Sequence, residues 1–327
     1  MNFYVIMRKK LEVFAVILNK KTFTFKSSSK LAEIFVASYF PQDGTDVIGV
    51  VQIAHGMAEH HERYEEFISF LNSNGYIVYI NDHLGHGKSV SDDSELGYFG
   101  KKNGYLYLVE DMKIITDIIK NEHPGLPVIL FGHSMGSMLA RLYSEKYGKE
   151  LSAVVYCGTC GANPAAAPGI AIVSAIAKIK GDHHRSEFIN KLAFGAYNKK
   201  FAPQRTAFDW LTTDNEIVDK YIADPYCGFL FTTYGYRDLM NLIVVINRNE
   251  WYTSVPEELP IYLIAGEDDP VGNYGKGIHE VYNKLVDSKH TDVSIKLFAG
   301  DRHEILNEKD KNDVYKTVLA WIETVIK

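Results

Sequence analysis

From Thr22 onward, short runs rich in β-branched and aromatic residues alternate with polar turns: Thr22 to Lys26, Leu31 to Phe40 and Val47 to Ile53, separated by Ser27-Ser28-Ser29 and Gln42-Asp43-Gly44. Such runs predict strands. After Glu62 the period changes. Tyr64, Phe67, Ile68, Phe70 and Leu71 recur at helical spacing until Asn72-Ser73-Asn74-Gly75 stops them. Strand and helix patterns then take turns: strand at 76–81, helix at 104–121, strand at 127–131, helix at 134–148, strand at 151–157. The alternation resumes late, with strands at 261–265 and 293–298 and helices at 278–286 and 310–326. This order predicts the α/β class, a mostly parallel central sheet with helices on both faces.

Between Gly161 and about Asn241 the alternation lapses into an Ala-rich apolar stretch, Ala165 to Ile179, followed by aromatic-rich text. A structureless loop of that length does not suit a compact domain, so the segment is expected to be helical. The expected organisation is a core of residues 1–160 and 242–327 with an inserted helical cap at 161–241. A chain of 327 residues suits this division, because single cores stop growing at roughly 250–300 residues.

Charge narrows the partners. A net charge of -6 and a pI near 6.1 give no basic surface for nucleic acid. Cys157, Cys160 and Cys227 are an odd, sparse set that suits a reducing compartment, and a cytoplasmic location is expected. Arg8-Lys9-Lys10 ahead of the apolar run Val13 to Leu18 imitates a secretory leader, but the run is too short and no small-residue cleavage site follows. The Ala165 to Ile179 stretch reads either as a lid making transient membrane-surface contact or as the apolar underside of a cap.

The chemistry starts at Gly132-His133-Ser134-Met135-Gly136, which follows the strand Val128-Ile129-Leu130-Phe131 and opens a helix. A Gly-x-Ser-x-Gly match is weak by itself. Between a strand and a helix it is the setting of a nucleophile elbow, where Ser occupies a strained turn and side chains at the flanking positions would collide with backbone. A serine hydroxyl needs a base, and the base an acid to orient it. Both are expected later in the chain, at carboxyl ends of strands. Gly266-Glu267-Asp268-Asp269-Pro270 follows one late strand and Ala299-Gly300-Asp301-Arg302-His303 the other. Asp269 is the expected acid, with Asp268 as its rival, and His303 the expected base, since His279 falls in a helix and His290 before a strand. The backbone amides of Met135, after the nucleophile, and of Met57, after the His55-Gly56 strand end, are the expected oxyanion donors.

At this point a resemblance becomes specific. His55-Gly56-Met57-Ala58-Glu59-His60 with Arg63-Tyr64, and Asp82-His83-Leu84-Gly85-His86-Gly87-Lys88-Ser89, resemble segments of the monoacylglycerol lipase and lysophospholipase group, also classed with the serine aminopeptidases. The elbow, Asp269-Pro270-Val271 and Arg302-His303-Glu304 complete the likeness, which runs from about Thr22 to the C-terminus. Ser137 departs from it, standing where many members have a second Gly. The resemblance implies an α/β-hydrolase fold, the triad Ser134, Asp269 and His303, the donors Met57 and Met135, no metal or organic cofactor, and an ester or lipid substrate. Alternatives are an aminopeptidase, for which Glu187, Asp209 or Asp214 would have to meet a substrate amine, and a catalytically inactive binding protein. Cys157-x-x-Cys160 reads as a pair of structural thiols, His183-His184 as a solvated loop, and His55 and His86 as residues that shape loops.

Overall fold

The computed structural model describes residues 19–326. The basic and apolar segment at residues 8–18 therefore lies outside the described residues. Eight strands form a single sheet: β1 (Asn19–Lys26), β2 (Glu33–Phe40), β3 (Gly49–Ala54), β4 (Tyr76–Asn81), β5 (Val128–His133), β6 (Ala153–Cys157), β7 (Ile261–Gly266) and β8 (Val293–Phe298). Their order is β1-β2-β4-β3-β5-β6-β7-β8. β1 and β2 join as an antiparallel edge, and β3 to β8 pair in parallel. Burial follows position. Every residue of β3 to β7 is buried, whereas β1 alternates between exposed and half-buried, as an edge strand must.

Successive side chains of a strand point to opposite faces, and the central strand divides accordingly. Ile129 and Phe131 pack with Phe67 of α1 (Glu65–Ser73) and with Tyr315 and Ile322 of a C-terminal helix at Lys311–Val325. Leu130 faces the other way, toward Met112 of α2 (Gly104–Glu122) and Leu139 of α3 (Met135–Tyr147). The chain runs from β3 outward to β4 and then back past β3 to β5, which opens a crevice above the carboxyl ends of β3 and β5, where Ala54 and Gly132 are level.

Between β6 and β7 lie α4 (Ala166–Lys180), α5 (Glu187–Phe194), α6 (Asn215–Ala223), α7 (Thr233–Ile246) and α8 (Asn249–Ser254). The predicted segment is thus helical, and α7 continues past residue 241. The apolar stretch forms α4, with Ala166, Gly169, Val173 and Ala177 inward and Ile172 and Ile179 exposed. Gly169 permits the close approach to α7, since a Cβ there would lie 2.8 Å from Met240 Sδ. Both ends of the segment are fastened by one fully buried side chain. Arg141 of α3 donates to the carbonyls of Cys160 at 2.8 Å and Ile246 at 2.5 Å, and its guanidinium sits 4.2 Å from the ring centroid of the buried Trp251. After β7, α9 (Lys276–Asp287) leads to β8, and the helix at Lys311–Val325 is α10. Among the described residues no helix is long and apolar enough to cross a membrane.

Candidate active site

Ser134 stands on the turn between β5 and α3 with φ +53° and ψ -122°, a conformation that lifts its side chain out of the strand line. The flanking glycines are sterically required. A Cβ on Gly136 would lie 2.0 Å from the Ala54 carbonyl oxygen, and one on Gly132 would lie 2.4 Å from that of Gly136. Ser137 fits because its hydroxyl donates to the Ser134 carbonyl at 2.6 Å.

The loops after β7 and β8 bring two further residues to this turn. His303 Nε2 lies 2.8 Å from Ser134 Oγ. On the other side of the ring, Nδ1 lies at ion-pair distance, 3.0 Å, from Asp269 Oδ1, and that oxygen accepts the Val271 amide at 2.8 Å. Asp269 is fully buried, and Asp268 beside it is half-buried with its backbone amide bonded to Asp301. His279 is exposed on α9, and His290 is tied to the Tyr252 carbonyl, away from the elbow. Gly158 faces His303 across a narrow gap: its φ is +62°, and a Cβ would sit 3.1 Å from His303 Cε1 and 3.3 Å from Nδ1. Nothing in the sequence around residue 158 marks that packing requirement.

Met135 is the first residue of α3, where an amide has no partner within the helix, and Met57 follows β3; both line the cavity beside Ser134. The peptide that carries the Met57 amide is oriented by His55. His55 Nε2 accepts the His83 amide at 2.9 Å, which leaves the proton on Nδ1, 2.8 Å from the Gly56 carbonyl oxygen. Carbonyl and amide are antiparallel across a trans peptide, so fixing one aims the other. Burial holds the His55 pKa below the usual imidazole value, which keeps the ring neutral and the arrangement intact. His86 is also fully buried, stacked on Phe99 at 5.7 Å.

Beneath the elbow the motif residues Glu59, Arg63, Tyr64, His133 and Glu304 form a charged network whose contacts no local sequence pattern displays. Arg63 forms a two-pronged pair with Glu304, each bond 2.7 Å, and a third bond of 2.7 Å to Glu59. Glu59 also accepts the Gly56 amide at 2.5 Å and the Tyr64 hydroxyl at 2.8 Å, and lies 3.3 Å from His133 Nδ1. His133 Nε2 in turn sits 3.3 Å from the His303 carbonyl oxygen. Burial would push the Glu59 carboxyl up, but His133 and Arg63 outweigh it and hold the group well below the usual range. The same contact raises His133 despite its burial. The network joins the loop of Met57 to the loop of His303 through one buried guanidinium.

Above these groups is an apolar cavity of about 290 Å³, lined by Met138 and by Phe194, Tyr197, Trp210, Leu239 and Ile243 from the segment between β6 and β7. That segment also holds the histidine loop. Trp210 lies 5.1 Å from the His303 ring, the Glu304 amide donates to the Leu211 carbonyl at 2.7 Å, and buried Glu308 accepts the amides of Thr213 and Arg302. The remaining sequence features stand apart from the cavity. Cys157, Cys160 and Cys227 are buried free thiols, and burial raises the pKa of each. His183 stacks on Tyr98 at 3.9 Å and pairs with Asp182.

The serine aminopeptidase S33 family model matches residues 45–310, most of the chain and every element of this site. The chain belongs to this family. It falls in the monoacylglycerol-lipase-like group of α/β-hydrolases. It is 29% identical over 282 residues to a monoacylglycerol lipase of Mycolicibacterium smegmatis, covering 85% of this chain and 89% of that one. It is 26% identical over 290 residues to the human monoglyceride lipase, covering 87% and 85%. Among solved structures, a thermostable carboxyl esterase from Bacillus coagulans in complex with glycerol superposes with a TM-score of 0.88 at 32% identity, covering 94% of this chain and 99% of the other.

Proposed function

We propose that the protein hydrolyses carboxylic esters through an acyl-enzyme, with monoacylglycerols, lysophospholipids or similar short acyl esters as substrates. The observation that carries this reading is the 2.8 Å contact between His303 Nε2 and Ser134 Oγ at the floor of an apolar cavity, with the Asp269 carboxylate behind the imidazole. Ser134 Oγ attacks the carbonyl carbon while His303 Nε2 takes its proton, and the Met57 and Met135 amides receive the oxyanion. Collapse expels the alcohol, which leaves with the proton from His303. Water, activated by the same base, then attacks the acyl-enzyme, releasing the carboxylic acid and returning Ser134. Asp269 keeps the proton on Nδ1 and stabilises the imidazolium. Helices α4 to α7 serve as the cap whose apolar inner side receives the acyl chain. The relatives named lipase and esterase support an ester substrate, and three buried free cysteines suit work in the cytoplasm.

The family name also raises aminopeptidase activity, and the cavity wall argues against it. Its two carboxylates, Glu59 and Glu304, are already held by Arg63. Asp209 is spent on the Arg205 and Thr206 amides, and Asp214 caps α6. A panel of p-nitrophenyl esters of rising chain length, emulsified monoacylglycerols, lysophospholipids and aminoacyl amides tests the proposal. Turnover of the esters is expected; turnover of the amides alone would overturn it. Within that assay Asp269→Asn is expected to lower kcat on the order of 10³- to 10⁴-fold, by favouring the wrong imidazole tautomer. Asp268→Asn should cost less than about threefold, and the reverse ranking would reassign the acid.

A further inference from the structure

The loop that presents the Met57 amide is held at three points. His55 bonds the Gly56 carbonyl and Glu59 the Gly56 amide, both from the core and both within three residues in sequence. The third hold comes from far away. Ala58, the residue after Met57, has φ +50°, a left-handed conformation that a residue with a Cβ adopts only when something retains it. Its carbonyl oxygen accepts two hydrogen bonds, both from the segment between β6 and β7: the Tyr221 hydroxyl of α6 at 3.0 Å and the Gly228 amide at 3.0 Å.

Tyr221 is built for this contact. It is 6% exposed, its ring lies 5.1 Å from that of Phe208, and the Arg63 guanidinium rests 4.8 Å from its centroid. Burial holds the phenol well above its ordinary pKa, so the hydroxyl stays a donor at every working pH. Gly228 is shaped to let both donors converge: its φ is +67°, and a Cβ there would stand 3.2 Å from Tyr221 Cε1.

We propose that Tyr221 is a positioning residue for the oxyanion donor: by holding the Ala58 carbonyl, it keeps the strained loop in the conformation that aims the Met57 amide at the reacting carbonyl oxygen. Ala58 relaxing to negative φ would rotate the Met57-Ala58 peptide and carry Met57 with it. The cap therefore completes the catalytic geometry as well as covering the cavity. This inference rests on the ester-hydrolase reading above.

The test is a double-mutant cycle in the full chain. Tyr221→Phe keeps every ring contact and removes only the hydroxyl. Its kcat on a p-nitrophenyl ester is expected to fall about 10- to 30-fold, part of the effect of deleting a whole oxyanion donor. KM should stay within about twofold and Tm within about 4 °C. Affinity for a trifluoromethyl ketone, whose serine adduct carries an oxyanion, should fall in parallel with kcat. Glycine holds positive φ without steric cost, so once Ala58 is replaced by Gly, removal of the hydroxyl should cost less than about threefold (Y221F/A58G against A58G). An unchanged kcat in Y221F, a change confined to KM, or the same loss in both backgrounds would overturn the proposal. A native chain with no ester turnover would instead refute the functional reading on which it rests.

Discussion

Replacing Ser134 by alanine is expected to lower kcat on p-nitrophenyl esters by on the order of 10⁵- to 10⁶-fold. In the proposed mechanism Ser134 supplies the bond-forming oxygen to His303, whose Nε2 lies 2.8 Å from its Oγ. The cavity and both candidate oxyanion amides survive the change, so substrate should still bind and a small water-driven rate should remain. A fluorophosphonate probe gives the complementary readout: in the native chain Ser134 Oγ is expected to displace fluoride at phosphorus, and S134A should stay unlabelled. Labelling of S134A at another serine, or full ester turnover by it, would move the nucleophile elsewhere.

The second large effect is on stability. Arg63→Ala removes the cation from between Glu59 and Glu304, which are 3% and 3% exposed, and leaves two buried carboxylates facing each other. Breaking a buried pair by deleting one partner costs about 3–5 kcal/mol, because the surviving charge keeps its desolvation penalty. For a chain of this size that corresponds to a loss of about 6–15 °C in Tm, measurable by calorimetry. Arg63→Lys should lie between, as an ammonium restores charge but not the two-pronged geometry. The sign of the pH dependence is a sharper check. Arg63 is one of the groups that hold the Glu59 carboxyl well below its usual range, so its removal raises that pKa and forfeits stability that is present only where Glu59 is ionised. The deficit of R63A against the native chain should therefore be full at pH 7 and shrink as pH falls through the carboxylate range, smaller at pH 3 than at pH 7. An equal deficit at both would show that the carboxylates do not carry the cost.

Much of this protein is legible along the chain because its signals are local. The strand run ending at Phe131, the Gly-x-Ser-x-Gly turn and the helix after it are neighbours in sequence, and hard-sphere contact between Gly136 and Ala54 explains why glycine must be there. The late strand ends that carry Asp269 and His303 are readable for the same reason: a buried run and the turn after it are short-range features. The network around Arg63 is different in kind. Glu304 lies 241 residues away, and nothing in the text near Arg63 names its partner. Gly158 and Tyr221 are likewise ordinary residues in sequence, and their importance comes from what the fold packs against them.

Hydrophobic period and turn chemistry, both properties of a few adjacent residues, were enough to determine the α/β alternation, the place where it lapses, and the strand ends that carry Ser134, the Asp268-Asp269 pair and His303. Which strands pair, which of the two adjacent aspartates meets the imidazole, and how Arg141 closes the root of the inserted helices were decided only by the tertiary structure. So was the hold of Tyr221 on the strained Ala58. These depend on burial and on contacts between distant segments, where the cost of an unpaired charge or donor selects a partner that no local pattern encodes.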